Sequence, residues 1–174
     1  VAHNSKKIVT ISEFCRQEIA EYYHLNASAI AVAPEGAEHL NTIVCSEKML
    51  EKGEFYFSIG SMAPHKNFEW VIRAAKNNPQ CKFLIAGGID SKIWSYQADV
   101  SETQNVTFLG YISDEEMKWY MRHAKALLFP SFYEGFGIPP LEALALGTPV
   151  IASDIPVLRE VFGDTIHYAN PMDY

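Results

Sequence analysis

Residues 131–144 of this chain read Ser-Phe-Tyr-Glu-Gly-Phe-Gly-Ile-Pro-Pro-Leu-Glu-Ala-Leu. Two carboxylates, Glu134 and Glu142, enclose a Gly-x-Gly loop and the start of a predicted helix. Proline is favoured in a first helical turn, so we expect the helix to begin at Pro139 or Pro140, with Glu142 in that turn. Loop N–H groups and the helix dipole suit phosphate or sugar oxygens, and carboxylates accept hydrogen bonds from hydroxyls. The segment predicts a site for a polyhydroxylated, phosphorylated ligand.

Apolar stretches alternate with amphipathic helices along the rest of the chain. The pattern predicts strands at 7–11, 29–33, 55–60, 82–86, 106–110, 126–129, 149–152 and 165–168. Helices are predicted at 13–23, 68–75, 114–121, 139–146 and 157–162, and 38–52 is expected to be a loop with a short helix. This order is typical of a parallel sheet covered on both faces. We predict an α/β fold, a Rossmann-like parallel sheet with helices on both faces, as a single domain over residues 1–174.

Ligands bind such sheets beyond the carboxyl ends of the strands. That rule singles out the loops 60–67, 87–89, 110–111, 131–139 and 153–154. Lys66 lies just before a predicted helix, where a lysine opposes the helix dipole but offers a point charge to a diphosphate. His65 could add a donor or be an ordinary solvated histidine. Taken alone, Glu142 could simply be a carboxylate that favours its helix.

Composition excludes several classes of function. A formal net charge of −7 argues against a nucleic-acid-binding surface, and no apolar run approaches the length of a membrane-spanning helix. No Asp-x-Asp or His-Glu-x-x-His occurs, and His39, His123 and His167 show no ligand spacing, so we expect no metal site. The third glycine of a dinucleotide fingerprint is missing after Gly137, which argues against a nicotinamide oxidoreductase.

Some side chains are expected to serve packing. We expect Cys15, Cys45 and Cys81 to be buried free thiols. Four aromatic residues are expected to pack in the core: Trp70, Tyr120, Phe129 and Phe132. The chain begins at Val1 without a Met, and we expect it to be a piece of a longer protein.

The segment from Glu134 to Glu142 resembles the E-x7-E motif of the retaining group 1 glycosyltransferases (family four, GT-B fold). Other segments resemble the same family in the same order: 9–14, 33–36, 60–67, 106–111, 147–153 and 160–164. The resemblance covers nearly the whole chain. It implies the C-terminal, donor-binding half of a two-domain GT-B enzyme, with the acceptor site on an absent N-terminal domain.

The resemblance also implies roles for individual residues. Lys66 would neutralise the leaving diphosphate, Glu134 would contact the transferred sugar, and Glu142 would accept hydrogen bonds from the ribose. Residues around the glycine loops would hold the rest of the donor, namely Gly135, Phe136, Gly137 and Ile138 at the sugar and phosphates, Gly60, Ser61 and His65 at the diphosphate, and Phe108, Gly110 and Tyr111 near the base. The family works without a bound metal or other cofactor.

The implied activity is hexosyl transfer from a nucleotide-diphosphate sugar to a glycan or lipid-linked acceptor, in polysaccharide or glycan biosynthesis. The resemblance implies a cytoplasmic protein, for which a peripheral position at the inner face of the membrane stays open. Ser61 and His65 depart from arginines that the family often has there, and Glu35 replaces a usual asparagine. These departures keep a second hypothesis open, a non-catalytic nucleotide-sugar-binding module of the same fold. The residues do not identify the base, the sugar or the acceptor.

Overall fold

The computed structural model describes residues 4–45, 53–88 and 103–173. The strands in these ranges are β1 (Ile8–Thr10), β2 (Ile30–Val32), β3 (Phe55–Ile59), β4 (Lys82–Ala86), β5 (Val106–Gly110), β6 (Leu127–Phe129), β7 (Val150–Ser153) and β8 (His167–Ala169). The α-helices are α1 (Glu13–Tyr23), α2 (Phe68–Asn77), α3 (Asp114–His123), α4 (Ile138–Ala145) and α5 (Pro156–Phe162). Short 3-10 turns cover Ala27–Ala29, Glu38–Thr42 and Pro64–Lys66.

The main sheet has six parallel strands in the order β5-β4-β3-β6-β7-β8. Its centre is β3, where Phe57 is in register with Leu84 of β4 and Leu127 of β6. Strands β1 and β2 pair only with each other, in a separate two-stranded parallel sheet. The sequence pattern did not predict that separation, because apolar strands look alike whichever sheet they join.

Helices cover both faces of the main sheet, as alternate residues of its strands show. On β4, Phe83 and Ile85 pack with the α2 side chains Phe68, Val71, Ile72 and Ala75. Leu84 points to the other face, where residues of α3, α4 and α5 pack. The predicted Rossmann-like α/β architecture is therefore confirmed. Because all six strands run the same way, their carboxyl ends share one edge.

Polar contacts hold the unit β1–α1–β2 against the part of the chain that forms the main sheet. Ser12 caps α1, as predicted, and its hydroxyl donates to the carbonyl oxygen of Gly135 at 2.7 Å. From α5, the carboxylate of Glu160 accepts the backbone N–H groups of Glu13 and Phe14, each at 2.7 Å. A carboxylate at these free N-terminal amides stabilises the start of the helix. Both contacts lie close to the loop that carries Glu134.

Helix boundaries follow the local signals with one correction. The predicted capping box of α3 forms between Ser113 and Glu116. Helix α4, however, begins at Ile138, with Gly137 as its N-cap at φ 104°. Glu142 therefore lies in the second turn rather than the first. A carboxylate there gains little from the helix dipole, so helix stability explains this residue less well than the sequence suggested.

Other expectations about packing are confirmed in part. Tyr120 and Phe129 are buried and Trp70 is half-buried, but Phe132 is 41% exposed and does not belong to the core. The three cysteines are free thiols, yet they are half-buried rather than buried. Within the predicted loop 38–52, Glu38–Thr42 forms the 3-10 turn, while 46–52 lies outside the described residues. In the described part of the chain, no helix is both long and apolar enough to cross a bilayer.

Candidate donor site

Two loops at the carboxyl edge of the main sheet bring a lysine and a glutamate together. Lys66 ends the 3-10 turn after β3, and Glu134 lies in the loop after the neighbouring strand β6. The Lys66 Nζ lies 2.6 Å from Glu134 Oε1, with side chains only 18% and 12% exposed. The backbone N–H of Phe132 also donates to the His65 carbonyl at 2.7 Å, which ties the two loops directly. The structure thus places a largely desolvated ion pair where the sequence predicted a ligand.

A buried asparagine, which the sequence analysis did not single out, holds the lysine loop in place. Asn67 adopts the left-handed conformation at φ 53°, which asparagine tolerates better than most residues. Its side-chain amide donates to the carbonyl oxygens of Pro130 and Pro171, each at 3.0 Å. It therefore joins the loop after β3 to the loop after β6. In the sequence, this residue could have been found only as an asparagine before a helix, a position where its tolerance of the left-handed conformation is useful.

The second glutamate of the motif has a different partner. Glu142 is only 7% exposed, and its Oε1 lies 2.7 Å from Nε2 of His39. Burial raises the pKa of this carboxyl group, the hydrogen bond and charge of His39 lower it, and Asp114 raises it further. The net direction is upward. His39 was set aside in the sequence because no spacing linked it to a site; the two residues are 103 positions apart.

Between the two glutamates, the loop leads into helix α4 and leaves backbone donors available. A Cβ added to Gly137 would lie 2.8 Å from Cδ2 of Leu158, so the loop passes against α5 too closely for a side chain. In the described part of the chain, no backbone hydrogen bond comes from the N–H of Phe136, Gly137 or Ile138. Three donors at the start of an eight-residue helix can receive an anion or a hydroxyl.

A pocket of about 320 Å³ opens at the ends of β3, β4 and β5. It is lined by Ile59, Gly60, Ser61, Gly87, Gly88, Tyr111 and Ile112. Gly87, at φ 151°, is required here: an added Cβ would lie 1.9 Å from the carbonyl oxygen of Gly60. The Gly87 N–H donates to the Gly110 carbonyl at 2.8 Å and the Gly60 N–H donates to the Ala86 carbonyl at 3.1 Å, so two hydrogen bonds link the three glycine turns. Gly60 and Ser61 of the predicted diphosphate loop and Tyr111 of the predicted base segment therefore line the same pocket, whereas Lys66 is not among the residues that line it.

The remaining predicted residues take different places. Tyr111 is 89% exposed at the pocket mouth, and His65 is exposed beside Lys66. Phe108 packs against the α2 side of the sheet and does not line the pocket. Ile89, predicted to follow the glycine pair, lies outside the described residues. Among the described residues, no group of three His, Cys, Asp or Glu side chains is placed to hold a metal ion.

Comparison with known proteins identifies one family in both the family models and the curated relatives. The model of a family described as "Glycosyl transferases group 1" matches residues 41–169. The O-antigen chain mannosyltransferase RfbU of Salmonella typhimurium is 34% identical over 172 residues, covering 97% of this chain and 48% of that protein. The O-antigen chain mannosyltransferase B of Escherichia coli is 29% identical over 187 residues, covering 98% and 49%. The chain thus spans about half the length of these relatives.

A solved structure gives the same picture for the fold. The sucrose-phosphate synthase of Thermosynechococcus elongatus superposes with a TM-score of 0.76 at 25% identity. The superposition covers 98% of this chain and 46% of that one.

Proposed function

Because this chain belongs to the group 1 glycosyltransferases, we propose that it holds the donor site of a retaining hexosyltransferase that uses a nucleotide-diphosphate sugar. The observation that carries the proposal is the Lys66–Glu134 contact of 2.6 Å at the carboxyl edge of the sheet. Two sequence segments 68 residues apart converge there. The O-antigen mannosyltransferase relatives favour a hexose and a polysaccharide product.

Lys66 is the group that meets the diphosphate in this proposal. Cleavage of the bond between the sugar and the diphosphate leaves negative charge on the phosphate oxygens. An ammonium group fixed in a water-poor position stabilises that charge without reorganisation at the moment of reaction. Without a donor, the Lys66 charge is balanced by Glu134. With the donor bound, the phosphates take over as the partner of Lys66.

Glu134 is then released to the sugar. Its carboxylate can accept hydrogen bonds from sugar hydroxyls and lies near the positive character that develops at the anomeric carbon. The same loop supplies the N–H groups of Phe136, Gly137 and Ile138, placed to hold sugar hydroxyls or a phosphate oxygen. Gly135 keeps the loop against α1, where a Cβ would lie 3.3 Å from the Cys15 sulfur.

The nucleotide half of the donor is assigned to Glu142 and the glycine-lined pocket. A buried carboxylate has two oxygens with which to accept the vicinal hydroxyls of a ribose. The 320 Å³ pocket between Gly60, Gly87 and Tyr111 is large enough for a planar base. Phe108 would act from behind the strand, through packing. Ser61 and the exposed His65 supply hydroxyl and imidazole donors near the diphosphate, where the family resemblance implies that arginines are common.

A second domain completes the enzyme in this proposal. The relatives are about twice as long as this chain, which supports assigning only the donor side to the main sheet. The other half would hold a glycan or lipid-linked acceptor. In this proposal the enzyme is cytoplasmic and works at the inner face of a membrane, where such acceptors lie. No metal is assigned to the reaction, because Lys66 supplies the cation.

Calorimetric titration of the chain with UDP-, GDP- and ADP-sugars tests the proposal. We expect one of them to bind weakly, and Lys66→Met to weaken that binding by about tenfold or more, since a charge-assisted contact is lost. Lys76→Met, an exposed lysine at the end of α2, is the matched control and leaves binding unchanged. Equal binding by both variants contradicts the assignment of Lys66. Sugar transfer by the chain alone would contradict the need for a second domain.

A non-catalytic donor-binding module is the second candidate, and Ser61 is the observation that favours it. A hydroxyl replaces a cation at the diphosphate loop, which weakens leaving-group stabilisation more than ground-state binding. Glu134→Ala in a protein containing both domains distinguishes the two. An enzyme loses sugar transfer, whereas a binding module has no turnover to lose.

A further inference from the structure

We propose that His39 positions Glu142 for the ribose of the donor, as a residue that acts through the carboxylate rather than on the substrate. The inference rests on the proposed function, since it concerns the same site. Its observation is separate: the Nε2 of His39 lies 2.7 Å from Oε1 of Glu142. The two groups come from the 3-10 turn Glu38–Thr42 and from helix α4.

The turn that carries His39 is anchored independently of Glu142. Lys118 on α3 donates through Nζ to the carbonyl oxygens of Leu40 and Ile43, each at 2.6 Å. Leu40 is itself buried in the core. The imidazole therefore approaches Glu142 from a fixed support. Because one carboxylate oxygen is already fixed, the Glu142 side chain loses less conformational entropy when a ligand binds.

The arrangement leaves hydrogen-bond acceptor capacity on the same carboxylate. Two carboxylate oxygens offer about four lone-pair directions, and His39 uses one of them on Oε1. The His39 side chain is 48% exposed whereas that of Glu142 is only 9% exposed. The histidine thus lies on the solvent side of the carboxylate. In this proposal, the carboxylate lone pairs that His39 does not use accept two adjacent hydroxyls of a ribose.

Electrostatics gives His39 a second effect. Glu142 must be ionised to act purely as an acceptor, yet burial and the carboxylate of Asp114 on α3 both raise its pKa. His39 acts in the opposite direction. Of the other charged groups of this turn and its support, the Glu38 carboxylate lies beside Gly36, where an added Cβ would be 1.9 Å from Glu38 Oε2, and Lys118 donates to carbonyl oxygens. Removing His39 therefore shifts protonation of Glu142 to higher pH and with it the acidic loss of ribose binding.

The test measures nucleotide affinity by calorimetry between pH 5 and 8 for the parent chain, His39→Ala and His39→Gln. The probes are UDP, GDP and ADP, and the 2′,3′-dideoxy form of whichever binds. We expect His39→Ala to weaken binding of the ribonucleotide about tenfold at pH 7, with a larger loss at pH 5.5. Glutamine retains an N–H donor and recovers part of the affinity at pH 7. His167→Ala, an exposed histidine on β8, serves as the matched control and binds like the parent.

The dideoxy probe separates positioning from a general structural effect. If His39 acts through the ribose contact, His39→Ala has no effect on binding of the dideoxynucleotide. An equal loss for both probes, or no loss for either, overturns the inference while Lys66→Met can still confirm the donor site. No nucleotide binding by the parent chain overturns both. Circular dichroism verifies folding, and His39→Gln carries the test if the alanine variant does not fold.

Discussion

Lys66 and Glu134 form an ion pair that is mostly removed from water, so each stabilises the charge of the other. Removing one partner leaves an unpaired charge at a site with little access to solvent, which is costly. Removing both eliminates the desolvation cost together with the attraction. The two side chains therefore affect both the stability of the fold and the proposed donor site.

We expect Lys66→Met and Glu134→Gln each to lower the free energy of unfolding by about 1–3 kcal/mol. The double variant should lose less than the sum of the two, with a coupling of about 0.5–3 kcal/mol. Urea unfolding followed by tryptophan fluorescence measures all four proteins. Additive losses would show that the pair does not form in solution.

Glu142 is a second residue whose proposed role in the site lowers the free energy of unfolding, because its charged carboxylate is buried. Its folded pKa lies above the ordinary value of 4.5 because burial disfavours the charged form. For a carboxyl group with a raised folded pKa, folding is penalised above that pKa and the penalty vanishes below the unfolded value.

Glu142→Gln should therefore raise the free energy of unfolding at pH 7 while it abolishes ribose recognition. The gain should fall as the pH is lowered through the folded pKa and disappear below about pH 4.5. Denaturation curves between pH 4 and 8 measure it, with Glu21→Gln, an exposed glutamate on α1, as the control carboxylate. A gain that grows toward acid pH would contradict the assigned direction.

Gly137 contributes to the site through its backbone conformation rather than through a side chain. Its φ of 104° is unfavourable for other residues, and a Cβ would lie 2.8 Å from Leu158 and 3.1 Å from Phe162. We expect Gly137→Ala to cost about 1–3 kcal/mol from strain, with overpacking added. Gly147, at φ 80° with open space around it, provides the control. Gly147→Ala should cost about 1 kcal/mol, and equal losses at both positions would show that the contact with α5 is unimportant.

At the scale of elements, the contact between α1 and α5 determines how the β1–α1–β2 unit meets the main sheet. The carboxylate of Glu160 holds two N-terminal amides of α1 at 2.7 Å each. Glu160→Ala should therefore increase hydrogen exchange in α1 and leave the main sheet protected. Ser113→Ala, which removes the cap of α3, should instead increase exchange in α3. Protection of α1 that survives Glu160→Ala would show that the other contacts of α1, among them the Ser12–Gly135 hydrogen bond, hold it without Glu160.

The elements also show what the sequence can predict. Periodicity identified the buried face of α2, and spacing identified the Ser113–Glu116 capping box, because both signals are local. The loops at the carboxyl edge followed from strand direction. The second-turn position of Glu142 was missed because helix α4 begins one or two residues earlier than its prolines suggested.

Contacts between distant segments could not be predicted. The Ser12–Gly135 hydrogen bond joins residues 123 apart, and the His39–Glu142 contact spans 103 positions. Neither pair leaves a periodic trace in a single sequence. The resemblance to glycosyltransferases supplied the roles of Glu134 and Glu142, but not the histidine that lies against one of them.

At the scale of the whole molecule, the loops at one edge of the six-stranded sheet carry Lys66, Glu134 and the glycine-lined pocket. The molecule carries a formal charge of −7, and Glu134 balances the charge of Lys66, so neither the net charge nor the free site attracts the proposed anionic donor over long distances. Steering toward the site is accordingly weak, which agrees with the modest affinity expected of the chain alone.

The central claim is that Lys66, Glu134 and Glu142 serve a single bound donor. A crystal structure of the chain soaked with the UDP-, GDP- or ADP-sugar that binds in calorimetry tests it most directly. The account predicts the diphosphate within hydrogen-bond distance of Lys66 Nζ, the sugar at Glu134 and the ribose hydroxyls at Glu142. A nucleotide sugar bound at another opening, with these three side chains unchanged, would contradict it.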